Sequence, residues 1–192
     1  MISKWQYKKL NFTYLKEKQI PEIVNILHDK KVEKYLWFAP ITIEGFSAYA
    51  SPIIEEVEKN IKENKYPLSA IFVVQENGKN IGSCGISQMP DGHNVALIGY
   101  QLKQSAWGRG NATACLEFLL HYAKKYLCFR KIYGDCCSSN VASVRVLEKC
   151  NFEFEGKIKE KYELNGELHD NSWFGLNMDE VSLINKELIE EM

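Results

Sequence analysis

Residues 93–136 read as a strand, a glycine-punctuated turn, a long amphipathic helix and a second strand, and this unit constrains the fold more than any other. The first strand centres on Val95, Ala96, Leu97, Ile98, Gly99 and Tyr100. The helix, over 109–126, carries Ala112, Cys115, Leu116, Leu119 and Ala123 on its apolar face. A helix between two strands is a crossover, which makes the strands parallel neighbours. The flanking segments instead read as hairpins, hence antiparallel. Residues 69–75 are β-branched and aromatic, and Asn77-Gly78 forms a turn in which both residues tolerate positive φ. Residues 79–89 return, with Gly82 and Gly85 marking a bulge or a close backbone approach. Pro90-Asp91-Gly92 then turns the chain into the crossover unit. Downstream, 152–164 and 167–177 form strands around Asn165-Gly166.

The rest follows from spacing and caps. Residues 5–15 read as a first strand, with Leu10, Phe12 and Tyr14 alternating. Pro21 opens a helix bearing Ile23, Ile26 and Leu27, and a short second helix carries Val32, Tyr35 and Leu36. Residues 43–64 are helical but interrupted at Pro52, with Ser51 as a fresh cap. Asn140 caps a helix running to about Lys149, and Asn151 suits a left-handed stop. Residues 178–192 read as a terminal helix. The expected fold is α+β: a mixed, mostly antiparallel twisted sheet with a central strand–helix–strand crossover and flanking helices. It forms a single domain over 1–192.

Charge and cysteine usage narrow the function classes. Lys and Arg number 24 against 25 Asp and Glu, so no global field gathers nucleic acid or an anionic membrane. The N-terminus is polar, without a signal-peptide core, and no run of apolar residues spans a bilayer. The six cysteines form no C-x-x-C pair, and adjacent Cys136-Cys137 do not suit a zinc site, so no metal is expected. Reduced thiols in a cytoplasmic protein are the default. A monomer or a homodimer is compatible with this composition.

The chemistry concentrates in residues 100–113. Gly108 and Gly110 let backbone N–H groups turn inward, and the helix start adds unpaired donors at a positive dipole end. Together they form an anion seat suited to a phosphate or diphosphate, to which Thr113 can add a hydroxyl and Arg109 a charge. The same glycines also fit an ordinary left-handed turn. The stretch begins like G-x-G-x-x-G without the third glycine, and it lacks the G-K-[ST] of a P-loop. Asn140 and Ser143 open the helix after the second crossover strand, which brings them beside the strand that leads to the seat. A plain capped helix is the competing reading there.

Together the two segments resemble the GNAT superfamily of acetyl-CoA-dependent N-acetyltransferases, most closely its ribosomal-protein N-terminal acetyltransferase (RimJ/RimL-like) branch. The resemblance rests on Trp107-Gly108-Arg109-Gly110-Asn111-Ala112-Thr113 and on Asn140, Ser143, Arg145, Val146, Leu147, Glu148, Lys149 and Phe152. It implies an acetyltransferase that moves acetyl from acetyl-CoA to a primary amine, a small molecule or a protein N-terminus, in a ternary complex. It further implies that the backbone from Ser105 through Trp107, Gly108, Arg109 and Gly110 to Asn111, Ala112 and Thr113 holds the diphosphate. Tyr100, Gln101 and Leu102 would pair with the pantetheine arm and Asn140 would bond it. Ser143 would lie near the sulfur as the catalytic acid for the leaving thiolate.

The sequence departs from the family pattern at several places. Leu147 stands where many members carry a tyrosine acid, Leu97 where the branch often carries glutamate, and Asn151 where glycine is usual. Candidates for the base are Glu160, Glu163, Asp170, His93 and His169, with a water chain as the alternative. The aromatic residues Tyr35, Trp37, Phe38, Phe46 and Tyr49 are either an acceptor wall or core. Two rivals remain: an acetyl-CoA-binding module without turnover, motivated by Leu147 and Leu97, and a nucleotide enzyme using the glycine-rich turn.

Overall fold

Two strands, Lys4–Tyr7 (β1) and Leu10–Tyr14 (β2), replace the single strand expected over 5–15. Lys8 turns between them at φ 53°. The buried positions change parity across that turn, from Trp5 and Tyr7 to Leu10, Phe12 and Tyr14. The computed structural model describes residues 2–90, 94–164, 166–183 and 188–191, the last four by backbone alone.

Three helices follow. α1 (Ile20–Leu27) buries Ile20, Ile23, Val24 and Leu27, and α2 (Lys30–Glu33) is capped by Asp29, which accepts from Lys31 N–H at 2.9 Å. Tyr35 and Leu36 lie beyond the end of α2. α3 (Ile43–Lys62) is continuous through Pro52, with Thr42 rather than Ser51 as its cap. Phe46, Ala50, Ile54 and Val57 form one buried face on both sides of the proline. Burying the three large side chains at about 1.5–3 kcal/mol each outweighs the ~3 kcal/mol cost of an interior proline.

The strands β3 (Ala70–Glu76) and β4 (Lys79–Gln88) form the expected hairpin, with Asn77 at φ 52° and Gly78 at φ 73°. β5 (Val95–Leu102), α4 (Asn111–Tyr122) and β6 (Lys131–Cys137) are the crossover unit, and a π-helical turn, Ala123–Leu127, extends α4. α5 (Val141–Lys149) ends at Asn151 with φ 63°, as its left-handed stop requires. β7 (Glu153–Leu164) and β8 (Glu167–Asn177) close the hairpin around Asn165, which lies outside the described residues, as do Asp91 and Gly92 of the earlier turn.

The helix expected over 178–192 is not formed in the described part. Leu188–Glu191 is instead a strand (β9) paired antiparallel with β1. The open edge of β1 offers backbone partners that a short isolated helix would leave unused.

The sheet order is β7-β8-β6-β5-β4-β3-β2-β1-β9, antiparallel throughout except for β5 against β6. One face packs on α4 through Trp5, Phe12, Phe72, Phe118 and Tyr122. The opposite face, through Ile71 and Val73, packs under α1–α3. No helix among the described residues is long and apolar enough to cross a membrane.

Candidate active site

The parallel ladder between β5 and β6 is short. Val95 pairs with Lys131, Ala96 with Ile132, Leu97 with Tyr133 and Ile98 with Gly134. Beyond that point the strands part: among the described residues, 99–102 pair only with β4 and 135–137 only with β8. The result is a cleft in the middle of the sheet whose walls are strand edges with free hydrogen-bonding groups. Two glycines set this geometry. Gly82 on β4 lies at φ 152°, and a Cβ there would meet the Gln101 carbonyl oxygen at 2.0 Å, so β4 crowds β5 where no side chain fits. Gly134 ends the ladder, and a Cβ on it would meet Leu147 Cδ2 at 2.6 Å, so α5 packs directly on the β6 backbone. The close approach expected around Gly82 and Gly85 is therefore present, with a register shift between Val74 and Gln75 opposite.

The end of β5 opens into the glycine-rich turn. A 3-10 turn, Gln104–Ala106, follows the strand, and the Trp107 indole Nε1–H donates back to the Leu102 carbonyl at 2.7 Å. Gly108 at φ 68° and Gly110 at φ 78° carry the chain into α4, with Gly110 as its cap. A Cβ at either glycine would meet nothing within 4 Å, so backbone conformation rather than crowding demands glycine. Asn111 is buried and its Nδ2 donates to the Ala106 carbonyl at 3.1 Å, tying the turn to the helix. The α4 ladder begins with Ala114 N–H on the Gly110 carbonyl, which leaves the N–H groups of Asn111, Ala112 and Thr113 without helical partners. Such a turn can hold a diphosphate. The Arg109 side chain is committed elsewhere, 2.9 Å from Glu76 Oε1, which Lys9 also reaches at 2.9 Å. Ser105 is exposed, while Gln101 and Thr113 are half-buried.

Across the cleft, Asn140 caps α5, its Oδ1 accepting from Ser143 N–H at 3.2 Å. The Tyr100 hydroxyl donates to Ser143 Oγ at 3.2 Å. Burial raises the Tyr100 phenol above its ordinary pKa, so it stays a neutral donor. Leu147 is buried against Gly134.

The candidate bases scatter. Glu160 and Glu163 are exposed on β7, and His93 lies outside the described residues. The Glu160 N–H and Lys157 bind the Asp170 carboxylate at 3.0 and 3.2 Å and hold it below the usual carboxylate range. His169 lies 4.0 Å from Glu167. The aromatic set also divides: Phe46 is core, Phe38 packs beside it, and Trp37 is 60% exposed. Trp37 stacks on Tyr162 of β7, with centroids 5.7 Å apart and planes 9° apart.

Asp135, which the sequence reading passed over, lies one residue past the end of the parallel ladder. Asn171 Nδ2 donates to its Oδ2 at 2.8 Å. The Tyr162 hydroxyl also interacts with it, and burial and that carboxylate push the Tyr162 phenol up to about 12. The available signal was its place at the carboxyl end of a parallel strand, where open sheets commonly bind ligands.

The family model for the acetyltransferase (GNAT) domain matches residues 9–153. The chain belongs to this family. A GNAT relative, "Uncharacterized N-acetyltransferase p20" of Bacillus licheniformis, is 26% identical over 148 residues, 77% of this chain and 81% of the relative. The fold is shared with RimL, a ribosomal L7/L12 alpha-N-protein acetyltransferase solved in complex with coenzyme A. That match has TM-score 0.74 and 20% identity, and covers 90% and 96% of the two chains. It is also shared with spermidine N-acetyltransferase from Vibrio cholerae in complex with CoA and spermine, at TM-score 0.73 and 21% identity, covering 89% and 96%. Acetyl-CoA is the co-substrate of GNAT acetyltransferases.

Proposed function

We propose that this GNAT acetyltransferase moves an acetyl group from acetyl-CoA directly to a primary amine within a ternary complex, using one catalytic domain. The observation that carries this reading is the parting of β5 from β6 between the glycine-rich turn and the Tyr100–Ser143 hydrogen bond. The turn from Ser105 to Thr113 receives the diphosphate through backbone N–H groups. The free edge of residues 99–102 pairs with the amides of the pantetheine arm. Asn140 has spent its Oδ1 on the cap, and its Nδ2 remains for donation to that arm.

The reaction asks for a hydroxyl near the leaving sulfur. Ser143 accepts from Tyr100, which leaves its own proton free to be given to the thiolate. The serine is thereby polarised by a donor that cannot itself ionise near neutral pH. The oxyanion is met by backbone N–H groups of β5 at the cleft. The six cysteines, all free thiols, suit a reducing cytoplasm.

The test is a thermal-shift titration with acetyl-CoA, CoA, NAD and ATP, followed by thiol release over an amine panel. At ligand about 100 times its Kd, roughly 2.7 kcal/mol of stabilisation is expected from acetyl-CoA and CoA alone. Stabilisation by NAD or ATP in their place would overturn the reading. Saturable CoA binding with no amine-dependent thiol release would leave a binding module.

A further inference from the structure

Asp135 differs from the ion-paired carboxylates among the described residues. Glu76 is paired with Lys9 and Arg109, Glu117 with Lys8, Glu155 with Lys131 and Asp170 with Lys157. Asp135 is half-buried, accepts one hydrogen bond from the neutral Asn171 amide, interacts with the nearby Tyr162 hydroxyl, and has no ion pair within 4.0 Å among the described residues. A hydrogen-bonded carboxylate with no ion-pair partner of its own is open to a cationic ligand.

Its surroundings fit a ligand. Asp135 shares its strand face with Tyr133, opposite the face on which Ile132 packs in the α4 core, and so looks toward the α1–α3 side of the sheet. On that side the exposed Trp37 lies flat on Tyr162, whose hydroxyl interacts with Asp135. Asn171 is fully buried, and its Oδ1 has no partner among the described residues, an acceptor still lacking a donor.

We propose that Asp135 receives the acceptor as an ammonium, with the stem of that amine lying against the Trp37–Tyr162 pair. This rests on the acetyltransferase reading above and assigns its acceptor class: a primary amine, cationic in solution, on an apolar or aromatic stem. The ammonium passes one proton to the Asp135 carboxylate, and the freed electron pair forms the C–N bond to the acetyl carbonyl carbon. The C–S bond breaks with its electrons on sulfur. A second nitrogen proton replaces the one that Ser143 gives to the thiolate, and Asp135 releases its proton to solvent. The sum is one ammonium and one acetyl-CoA giving one amide, one CoA thiol and one proton.

The test is calorimetric titration of the CoA-saturated protein, so that no turnover occurs, with 2-phenylethylamine and with the neutral 2-phenylethanol. The wild type should bind the amine and not the alcohol. Asp135→Asn should weaken amine binding by about tenfold or more, as loss of a charged hydrogen-bond partner does. Its CoA affinity should stay unchanged. Trp37→Ala, at an exposed position that does not endanger folding, should weaken the amine severalfold. Equal amine affinity in Asp135→Asn, equal binding of the alcohol, or no amine binding to a wild type that binds CoA would each overturn the assignment. A wild type that fails to bind CoA would instead fail the acetyltransferase reading.

Discussion

The Tyr100 hydroxyl donates to Ser143 Oγ at 3.2 Å, joining β5 to the first turn of α5 at the level where β5 and β6 have parted. Sequence spacing of 43 residues separates the two groups, and neither strand pairing nor helix register alone brings them together. Tyr100→Phe should lower kcat about tenfold and Ser143→Ala about a hundredfold, each with CoA affinity nearly unchanged, because general acid assistance contributes about 10²–10⁴-fold. Steady-state kinetics beside direct CoA titration separates the two effects. An unaltered kcat in both variants would remove the hydroxyl pair from the chemistry.

Gly110→Asp should abolish CoA binding. The residue sits at φ 78° as the α4 cap, where a side chain is strained, and a carboxylate there would enter the anion seat. Circular dichroism should show a folded variant, and the thermal shift with CoA should vanish. A retained shift would mean that the diphosphate is held elsewhere.

Gly82→Ala is expected to cost stability by roughly 2–4 kcal/mol, through strain at a φ reserved for glycine and a clash with backbone. The collision is with the Gln101 carbonyl and the Leu102 Cα, neither of which can swing aside as a side-chain tip would. Urea unfolding of the variant measures the loss.

Acid should weaken the tie between the glycine-rich turn and β3. A hydrogen bond from Lys9, and then the charge of Arg109, hold the Glu76 carboxyl below its ordinary value. A depressed folded-state pKa adds stability above the unfolded value, lost as pH falls through the folded one. The contribution is therefore complete at neutral pH and disappears below the ordinary carboxylate range. Glu76→Gln should flatten the acid limb of the stability profile measured by denaturation between neutral and strongly acidic pH.

Much of the fold was legible because local chemistry and tertiary demand agreed. Asn77-Gly78, Asn140 and Asn151 each sit in the conformation their side chains favour, and the crossover at 95–137 follows from helix placement alone. Disagreement produced the misses. Pro52 reads as a break, yet the buried face of α3 on both sides of it decides the matter. At the C-terminus, β1 recruits a strand from a segment whose spacing also suits a helix. In the candidate site, the glycines and the Asn140–Ser143 cap were readable because their spacing is local. Arg109 reads as part of the anion seat by sequence, but Glu76, 33 positions away, claims its guanidinium. Asp135 and Asn171, 36 positions apart, become neighbours only once β6 lies against β8.

Among the described residues, a ladder of four residue pairs is the only strand-to-strand joint between the β7-β8-β6 portion of the sheet and the six strands from β5 to β9. A joint that short makes few backbone bonds between the two portions, with α4 packed across one face. A co-substrate arm lying along residues 99–102 would act as a splint, a borrowed strand present for part of each catalytic cycle. Amide hydrogens at the open edge should then exchange with solvent more slowly when CoA is bound, and the two portions should stiffen and relax in step with turnover.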